Sequence, residues 1–354
     1  MAIQIKDVAK RAGVSNATVS RVLSNKQFVH EDIRKRVLMA VEELGYHPSR
    51  VARSLRISRS NTIGLLVADF RNPFYTSLVH SIENIAYDHQ YNLFLCNSDE
   101  EPEKEAKYVD LMLSENIAGV IIMPVIETDN SCKKLIAANI PVVALDRRLL
   151  DSDVDTVVLA NASATIDLVN HLVDDGHRRI GAILGTSNST TGRERLEGYT
   201  QALRVKGIPL LQQYIRKGVP NEINGHRFMM DLLNLPEPPT AVVVGNNVLT
   251  LGCLRAIREK RLDIPDDIAL VAFDEMEWSS LFEPPITVIS QPTHEMGHRA
   301  ADLLFDRIRN SSRLVQEVVL QGTLFIRRSC ANHRPTTKYQ TTEIDSNRRL
   351  FLVD

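Results

Sequence analysis

The chain has 354 residues, of which 44% are apolar and 24% charged, with 42 Lys and Arg against 44 Asp and Glu. This length excludes a single small module, and this composition excludes a collagen-like or disordered chain. The formal charge of −2 conceals an uneven distribution. Residues 1–60 carry 12 basic and 5 acidic side chains, a balance of +7, whereas the rest carries 30 against 39, a balance of −9. The first sixty residues therefore indicate a separate basic domain.

Export and membrane insertion are not indicated. No apolar run approaches the ~18–20 residues of a membrane span, and charged residues follow Met1 within a few positions. We therefore expect a cytoplasmic protein with no membrane association. The four cysteines are too dispersed for a C-x-x-C metal or redox site, so we predict that they are packing residues and expect no metal or cofactor. They are Cys96, Cys132, Cys253 and Cys330.

The basic segment predicts three short helices, at Ile5–Ala12, Asn16–Ser24 and Glu31–Leu44. Gly13 suits the left-handed residue of a tight turn, and Ser15 stands where a helix N-cap belongs. Three helices around one small core are expected. The second helix of such an arrangement enters the major groove of DNA. The alternative is an ordinary three-helix bundle with a solvated basic face.

Residue chemistry divides the predicted DNA contacts into two groups. Arg21 can fork onto guanine, Asn16 can pair with adenine or a phosphate, and the methyl group of Ala17 can meet a thymine methyl. Short hydroxyl side chains and a lysine suit phosphates instead. The phosphate candidates are Ser15, Thr18, Ser20 and Lys26.

From Thr62 onward, continuous apolar runs alternate with amphipathic helices, which predicts parallel sheets in βαβ units. The predicted strands are Ile63–Ala68, Leu93–Asn97, Val120–Met123, Val142–Leu145, Val157–Ala160, Ile180–Leu184, Ala241–Gly245, Ile268–Phe273 and Ile286–Ser290. The predicted helices include Ala162–Asp175, Arg195–Lys206, Gly225–Leu235 and Leu249–Arg261. Some 270 residues of this pattern exceed one sheet, so we predict two doubly wound subdomains with a cleft between them.

Four motifs resemble the LacI/GalR family of bacterial transcription regulators, over about residues 3 to 329. They are Lys6-Asp-Val-Ala-Lys-Arg-Ala-Gly-Val-Ser15, Thr18-Val-Ser-Arg-Val22, Gly45-Tyr-His-Pro48 and Ala52-Arg-Ser-Leu55. The resemblance implies a helix-turn-helix domain at 1–46, a hinge helix and linker at 47–60, and a periplasmic-binding-protein-like, two-lobed sugar-binding and dimerisation core at 61–330. Residues 331–354 are predicted to be a disordered tail, since they show little apolar periodicity.

The resemblance also implies roles for residues in the hinge. Leu55 is expected to wedge into a central minor-groove step, with Arg53 and Arg56 near phosphates and Arg50 as a further DNA contact. A flexible linker with an incidental leucine is the alternative. This chain departs from the family at His30 and Ile33, where relatives usually have Ser and Thr, so a weaker N-cap is expected for the third helix.

Polar residues fall at or just after the ends of the predicted strands, where open parallel sheets bind ligands. Carboxylates, amides and guanidinium groups bind sugar hydroxyls, and aromatic rings cover the apolar face of a sugar. Each residue alone is as often a helix cap. The set is similar to that of the ribose repressor and the periplasmic ribose-binding protein. By that resemblance Asn72, Phe74 and Tyr75 form the asparagine and aromatic sandwich, Asp146 and Arg147 clamp hydroxyls, and Arg195, Asn246, Asp274 and Gln291 supply the other polar contacts.

A small neutral sugar is therefore the expected effector, with a ribose-like pentose first. A purine or a phosphosugar would call for a different set of residues. Arg148 and Arg193 add positive charge near the mouth of the cleft, so a sugar acid stays open.

One motif points to a different class of protein. His294-Glu-Met-Gly-His298 matches the H-E-x-x-H zinc signature, and Glu317 lies 19 residues beyond it. A zinc hydrolase is the remote alternative, because Gly297 weakens the helix and Glu317 lies in a predicted strand. We expect no enzymatic activity. The sequence predicts a homodimeric repressor of carbohydrate-metabolism genes that binds operator DNA and is relieved by a sugar, with corepression as the alternative sign.

Overall fold

A computed structural model describes residues 3–23, 29–46, 60–128 and 131–330, together with the backbone of 351–352. The chain divides into two compact units, Met1–Ser60 and Asn61–Asp354. We call them the head and the core and describe each by itself.

The head contains helices α1 Ile5–Ala12, α2 Asn16–Leu23 and α3 Glu31–Leu44. Gly13 and Gly45 follow α1 and α3 in left-handed conformations, with φ of 64° and 59°. At these angles a side chain would be strained, so glycine ends both helices sharply. The three helices pack around a small aliphatic core, whose innermost side chains are Val8, Val19 and Val37.

The N-cap of α3 is weak, as the sequence predicts. The Nδ1 atom of His30 accepts a hydrogen bond from the backbone N–H of Asp32 at 3.5 Å, near the limit for such a bond. A serine or threonine hydroxyl at this position would make a shorter bond.

One half of the core, which we call the N-subdomain, is built on a six-stranded sheet. Its strands are β1 Thr62–Val67, β2 Asn92–Asn97, β3 Gly119–Ile122, β4 Val142–Leu145, β5 Asp155–Leu159 and β11 Glu317–Leu320. Its helices are α4 Pro73–Asp88, α5 Pro102–Ser114, α6 Ser131–Ala137 and α11 Thr293–Arg309. The strand order is β11-β5-β4-β3-β1-β2, and all neighbouring strands are parallel.

The other half, the C-subdomain, is built on a seven-stranded sheet. Its strands are β6 Ile180–Leu184, β7 Ile215–Lys217, β8 Ala241–Val244, β9 Ala269–Phe273, β10 Thr287–Ser290, β12 Thr323–Ile326 and β13 Phe351–Leu352. Its helices are α7 Asn161–Asp174, α8 Thr190–Val205, α9 Glu222–Leu233 and α10 Asn247–Glu259. The order is β13-β12-β10-β9-β8-β6-β7, with β12 antiparallel to β10.

The chain passes between the subdomains three times: between β5 and α7, between β10 and α11, and between β11 and β12. Helix α11 follows a C-subdomain strand but packs on the N-subdomain, where Met296 and Leu304 are fully buried among side chains of α4 and the first sheet. Each subdomain is therefore assembled from separate stretches of sequence.

The strands predicted from apolar runs are all present, with ends shifted by at most two residues. The predicted fold class is confirmed, with mostly parallel strands in both sheets. The predictions omit the short β7 and β12, and β12 pairs antiparallel with β10. Most of the predicted disordered tail lies outside the described residues. Its described part, Phe351–Leu352, forms a strand beside β12.

Candidate DNA-reading and ligand-binding sites

The first two turns of α2 present the side chains that the sequence predicts to read DNA. Ser15 caps this helix, because its Oγ accepts a hydrogen bond from the Thr18 N–H at 3.2 Å. Asn16, Ala17 and Arg21 are exposed, whereas Val19 on the opposite face is fully buried. The buried face fixes the helix, and the exposed face is left available for a groove.

The remaining predicted DNA contacts differ in their placement. Thr18 and Ser20 are half-buried, and the Thr18 hydroxyl lies 2.9 Å from Ser15 Oγ. Five of the predicted contacts lie outside the described residues, and these are Lys26, Arg50, Arg53, Leu55 and Arg56.

All nine predicted effector residues line one cavity between the two subdomains. Each of them lies at or beyond the carboxyl end of a strand or early in the helix that follows, as open α/β sheets favour. From the N-subdomain come Asn72, Phe74, Tyr75, Asp146 and Arg147; from the C-subdomain come Arg195, Asn246, Asp274 and Gln291.

Arg147 is the centre of the polar cluster on the N-subdomain side. Its Nη1 and Nη2 donate to the Glu100 carboxylate at 2.8 and 2.5 Å, and Nη2 also donates to the Tyr75 hydroxyl at 3.1 Å. Asp146 is less closely held, since its Oδ2 lies 3.5 Å from both Arg147 Nε and the Tyr75 hydroxyl. Glu100 therefore positions the guanidinium group, and Asp146 keeps free capacity to accept hydrogen bonds.

Burial dominates the electrostatics of this cluster. Desolvation raises the pKa of Asp146 to about 6, although Arg147 and Arg195 oppose the shift. Desolvation works against the charge of Arg147 too, but Glu100, Tyr75 and Asp146 together outweigh it and hold the pKa of Arg147 above its usual value. Asp146 and Arg147 therefore both have raised pKa values, but for different reasons. Burial raises the pKa of Asp146, whereas neighbouring groups, Glu100 first among them, raise the pKa of Arg147.

Arg195, on α8, is the matching cation of the C-subdomain. Its guanidinium lies 3.9 Å from the centre of the Phe273 ring, its Nε donates to Asn161 Oδ1 at 2.9 Å, and its Nη1 donates to the carbonyl of Gly245. Desolvation lowers the pKa of Arg195, while Asp274 and Asp146 counter the shift. An arginine held flat against an aromatic ring is preorganised to bind oxygen atoms of a ligand.

A chain of hydrogen bonds joins the two subdomains across the cavity. Gln291 Nε2 donates to Asp274 Oδ1 at 2.6 Å, and the backbone N–H of Asn247 donates to Asp274 Oδ2 at 3.3 Å. Asn247 Nδ2 then donates to Asn72 Oδ1 at 2.7 Å, from the C-subdomain to the N-subdomain. Asn72 thus belongs to the contact between the subdomains as well as to the cavity wall.

Three buried polar atoms in this region have no hydrogen-bond partner in the protein: Arg147 Nε, Gln291 Oε1 and Asn247 Oδ1. Buried donors and acceptors without partners are costly. They include both a donor and acceptors, which a ligand carrying several hydroxyl groups can satisfy, because each hydroxyl both donates and accepts.

The sequence-based prediction missed Glu100, Asn161 and Asn247. Each acts by holding another polar side chain, so no motif of its own marks it. The sequence signal that was available is position: Asn247 directly follows Asn246, and Asn161 begins α7 just after the chain changes subdomain. Asn246 itself caps α10, accepting from the Leu249 N–H at 2.9 Å.

Arg148 and Arg193, because of which a sugar acid was an alternative ligand, are both paired with carboxylates. Arg148 contacts Glu194 and, at 2.6 Å, Glu317. Arg193 donates to Glu127 at 2.9 Å and to Glu197 at 3.2 Å. Their charges are neutralised within the protein and leave little excess for an anionic ligand.

The H-E-x-x-H segment lies on α11 with both histidines exposed. His298 pairs with Asp302 at 3.5 Å, whereas Glu317 is bonded to Arg148. Helix packing explains the glycine at position 297, because a Cβ atom there would lie only 2.8 Å from the Cβ of Ser81 on α4. The motif thus reflects close helix packing, and no third metal ligand from the described part of the chain joins it.

Among the described residues, no helix is both long enough and apolar enough to span a membrane. The four cysteines are all buried and free of disulfides.

Comparison with known proteins identifies both units. Residues 4–49 match the family model of bacterial regulatory proteins of the lacI family, and residues 60–328 match that of periplasmic binding proteins and the sugar-binding domain of the LacI family. The chain is 34% identical, over 93% of its length and 98% of the relative's, to the HTH-type transcriptional repressor PurR of Actinobacillus pleuropneumoniae serotype 3 (strain JL03). It is 33% identical to the PurR of Pasteurella multocida (strain Pm70), over 92% and 98% of the two chains.

Solved structures of the same kind share the fold. The lac repressor dimer bound to operator and the anti-inducer ONPF matches with a TM-score of 0.80 and 28% identity, over 94% of this chain and all (100%) of the other. A putative ribose operon repressor from Burkholderia thailandensis matches with a TM-score of 0.70 and 28% identity, over 75% and 99% of the two chains. The chain belongs to the LacI family of bacterial regulatory proteins and is a DNA-binding transcriptional repressor with a sugar-binding domain.

Proposed function

We propose that the chain is a cytoplasmic, homodimeric repressor of carbohydrate-metabolism genes whose operator affinity is lowered by a small neutral sugar, a ribose-like pentose first. The observation that supports a sugar as the ligand is the polar lining of the cavity. Four carboxylates and two guanidinium groups converge there from both subdomains, beside buried polar atoms that lack partners.

Charge argues against an anionic ligand. Asp69, Glu100, Asp146 and Asp274 line the cavity against two cations, Arg147 and Arg195. Asp69 forms an ion pair with the exposed Arg71 at 2.9 Å, so its charge is neutralised. The other three carboxylates still outnumber the two guanidinium groups. The lining stays acidic, so a sugar acid would meet repulsion that a neutral pentose avoids.

The aromatic lining suits a small ring. Phe74 and Tyr75 stand edge to face, with ring centroids 5.1 Å apart, and both are more than nine-tenths buried. They offer an apolar wall on one side of the cavity, opposite the polar groups of the C-subdomain. A pentose has one face that is rich in C–H groups and several hydroxyls at its rim, which matches this division.

The direct test is a binding screen by calorimetry on the full chain. Ribose, other pentoses, hexoses, sugar acids, and purine bases form the panel; the last class is included because the relatives are named PurR. We expect a pentose to bind most tightly, and Asp274→Ala to lose that binding while operator binding persists. Asp306→Ala is the matched control, because Asp306 is an exposed carboxylate at the far end of α11. Tighter binding of a sugar acid or a purine than of every neutral sugar would refute the proposed ligand.

Operator reading is proposed to depend on the exposed face of α2. Arg21→Ala is expected to lower affinity for the operator by roughly 10- to 100-fold while binding to random DNA changes little, because a forked contact to guanine is specific. Arg11→Ala removes the same charge from α1, where Arg11 is paired with Glu43 at 2.6 Å. Equal discrimination between operator and random DNA in the parent and Arg21→Ala proteins would show that α2 reads DNA by other residues.

A further inference from the structure

A second group of polar side chains lies in the C-subdomain, apart from the cavity residues. His171 lies near the end of α7, Asp175 follows that helix, and Cys330 ends the described segment after β12. Nε2 of His171 lies 3.0 Å from Sγ of Cys330 and 3.5 Å from Oδ2 of Asp175. These three atoms all lie within 4.8 Å of one another, and this is the one such cluster among the residues with described side chains.

Two of the three separations are close to those between neighbouring ligands of a tetrahedral metal site, and the third is at most 4.8 Å. Zinc binds nitrogen, sulfur and oxygen ligands at ~2.0–2.3 Å, which places neighbouring ligand atoms roughly 3.3–3.5 Å apart along a tetrahedral edge. The two measured separations differ from that range by a few tenths of an ångström at most. Imidazole, thiolate and carboxylate are also the three side-chain types that zinc sites use.

An independent observation points to a cation at the same place. Oδ2 of Asp175 is buried and has no hydrogen-bond partner. Its contact with His171 Nε2 is long, at 3.5 Å, and a bound cation at coordination distance would satisfy the oxygen more fully.

The surroundings hold the sulfur in position. The hydroxyl of Thr287 lies 3.0 Å from Cys330 Sγ and is itself bonded to the backbone of Arg327, accepting from its N–H at 2.8 Å. The side chains of His171 and Asp175 are 14% and 11% exposed and Cys330 is fully buried, so a bound ion would be largely shielded from solvent. Contacts such as that of Thr287 with the sulfur orient a ligand of a metal site.

We propose that His171, Asp175 and Cys330 bind one Zn²⁺ ion, with water in the fourth position. The ion replaces the thiol proton of Cys330, which is released to solvent. It thereby links the segment after β12 to the end of α7 and stabilises the C-subdomain. This site is separate from the effector cavity and from the two histidines of the H-E-x-x-H segment.

Cobalt(II) provides the test, because a thiolate bound to Co²⁺ gives a charge-transfer absorption that carboxylate and histidine sites lack. The full chain is titrated with Co²⁺ under reducing conditions, in a His298→Gln background that removes chelation by the exposed pair on α11. We expect one equivalent of Co²⁺ to produce the thiolate band and Zn²⁺ to displace it. Absence of the band, or a stoichiometry that shows no saturable site, would overturn the proposal.

Variants identify the ligands. Cys330→Ser and His171→Gln are expected to abolish the band, and Asp175→Asn to weaken Co²⁺ binding at least tenfold. Cys253→Ser is the control for loss of a buried thiol, and Asp302→Asn is the control for loss of a carboxylate, because Asp302 is an exposed acid on α11. Retention of the band in Cys330→Ser would refute the assignment. His171→Gln serves if Cys330→Ser fails to fold, since His171 is partly exposed.

Thermal unfolding gives a second, independent reading. Zn²⁺ at a hundred times its Kd is expected to raise the Tm by roughly 5 °C, and EDTA to reverse the rise. The same addition should leave the Tm of His171→Gln unchanged. An equal rise in both proteins would mean that zinc binds elsewhere.

Discussion

Asp146 and Asp274 combine two features that are unusual for a carboxylate in a globular protein, namely deep burial and a left-handed backbone conformation. Both are about 95% buried, and both have positive φ, 67° and 76°, a conformation that strains a residue with a side chain. Desolvation raises the pKa of each. Strain and buried charge together lower stability, which is common where side chains are held ready for a ligand.

Asp146→Asn is expected to stabilise the protein at pH 7 while it weakens sugar binding. The folded state holds the Asp146 proton up to about pH 6, whereas the unfolded chain releases it near pH 4. The contribution of this group to the free energy of unfolding is therefore greatest below pH 4 and falls as the pH rises to 6, by about 3 kcal/mol at most. Unfolding by denaturant at a series of pH values measures the effect.

The amide variant should lack this part of the pH dependence, so that its advantage over the parent shrinks below pH 4. Asp302→Asn provides the comparison, because Asp302 is an exposed acid on α11. If Asp146→Asn bound the pentose as tightly as the parent chain does, Asp146 would not be a ligand residue.

At the scale of elements, the carboxylate of Glu127 is one of the groups that hold the N-terminal turn of α8 to the N-subdomain. Glu127 accepts from the Thr190 hydroxyl at 2.5 Å and from Arg193 at 2.9 and 3.2 Å, and its side chain is only 6% exposed. The Thr190 hydroxyl in turn accepts from the backbone N–H of Arg148 at 2.7 Å. These contacts cross between the subdomains beside the cavity and favour its closed form.

Glu127→Gln is expected to weaken pentose binding about tenfold, because it replaces a buried charged contact by a neutral one and so disfavours closure. Calorimetry measures the affinity, and small-angle scattering measures whether the ligand still contracts the core. Glu197→Gln is the control, since Glu197 pairs with the same Arg193 but is exposed. Equal affinities in the two variants would show that the contact plays no part in closure.

The elements also show what the sequence could and could not predict. Strands such as β3 and β8 are continuous apolar runs buried on both faces, so their position follows from composition alone. The missed β7 and β12 have three and four residues, and none of these side chains is fully buried. At that length and exposure, apolar periodicity carries too little information to mark a strand.

Some of the residues that line the cavity could be predicted from the sequence, and others could not. Residues that directly follow strands, such as Asp146 and Asp274, can be found by their position in the βα repeat. Glu100 could not, because its partner Arg147 lies 47 positions later and only folding reveals that the two side chains meet. Residues that position other residues leave no local trace in a sequence.

At the scale of the whole molecule, the separation of charge predicts how binding to DNA depends on salt. The head carries +7 and the rest −9. A dimer that presents two heads and neutralises six to ten phosphates is expected to give a plot of log affinity against log salt with a slope of roughly −5 to −9. Gel-shift or fluorescence titrations at several salt concentrations measure it.

The same titrations with saturating ribose are expected to show operator affinity lowered by about 10- to 100-fold. Random DNA is the control, and its binding should change much less. An unchanged operator affinity would rule out control by this ligand, and an increased affinity would make the ligand a corepressor instead of an inducer.

The threefold passage of the chain between the subdomains has a consequence for biosynthesis. The first sheet receives its last strand, β11, and its covering helix, α11, from residues 293–320, far beyond the end of β5 at Leu159. At about 5–20 residues per second, the ribosome needs roughly 8–32 s to extend the chain from the end of β5 to the end of β11. Until Met296 and Leu304 are synthesised, the apolar surface that they cover in the folded protein lacks both side chains. We therefore expect the nascent N-subdomain to bind chaperones that recognise exposed hydrophobic surface during translation.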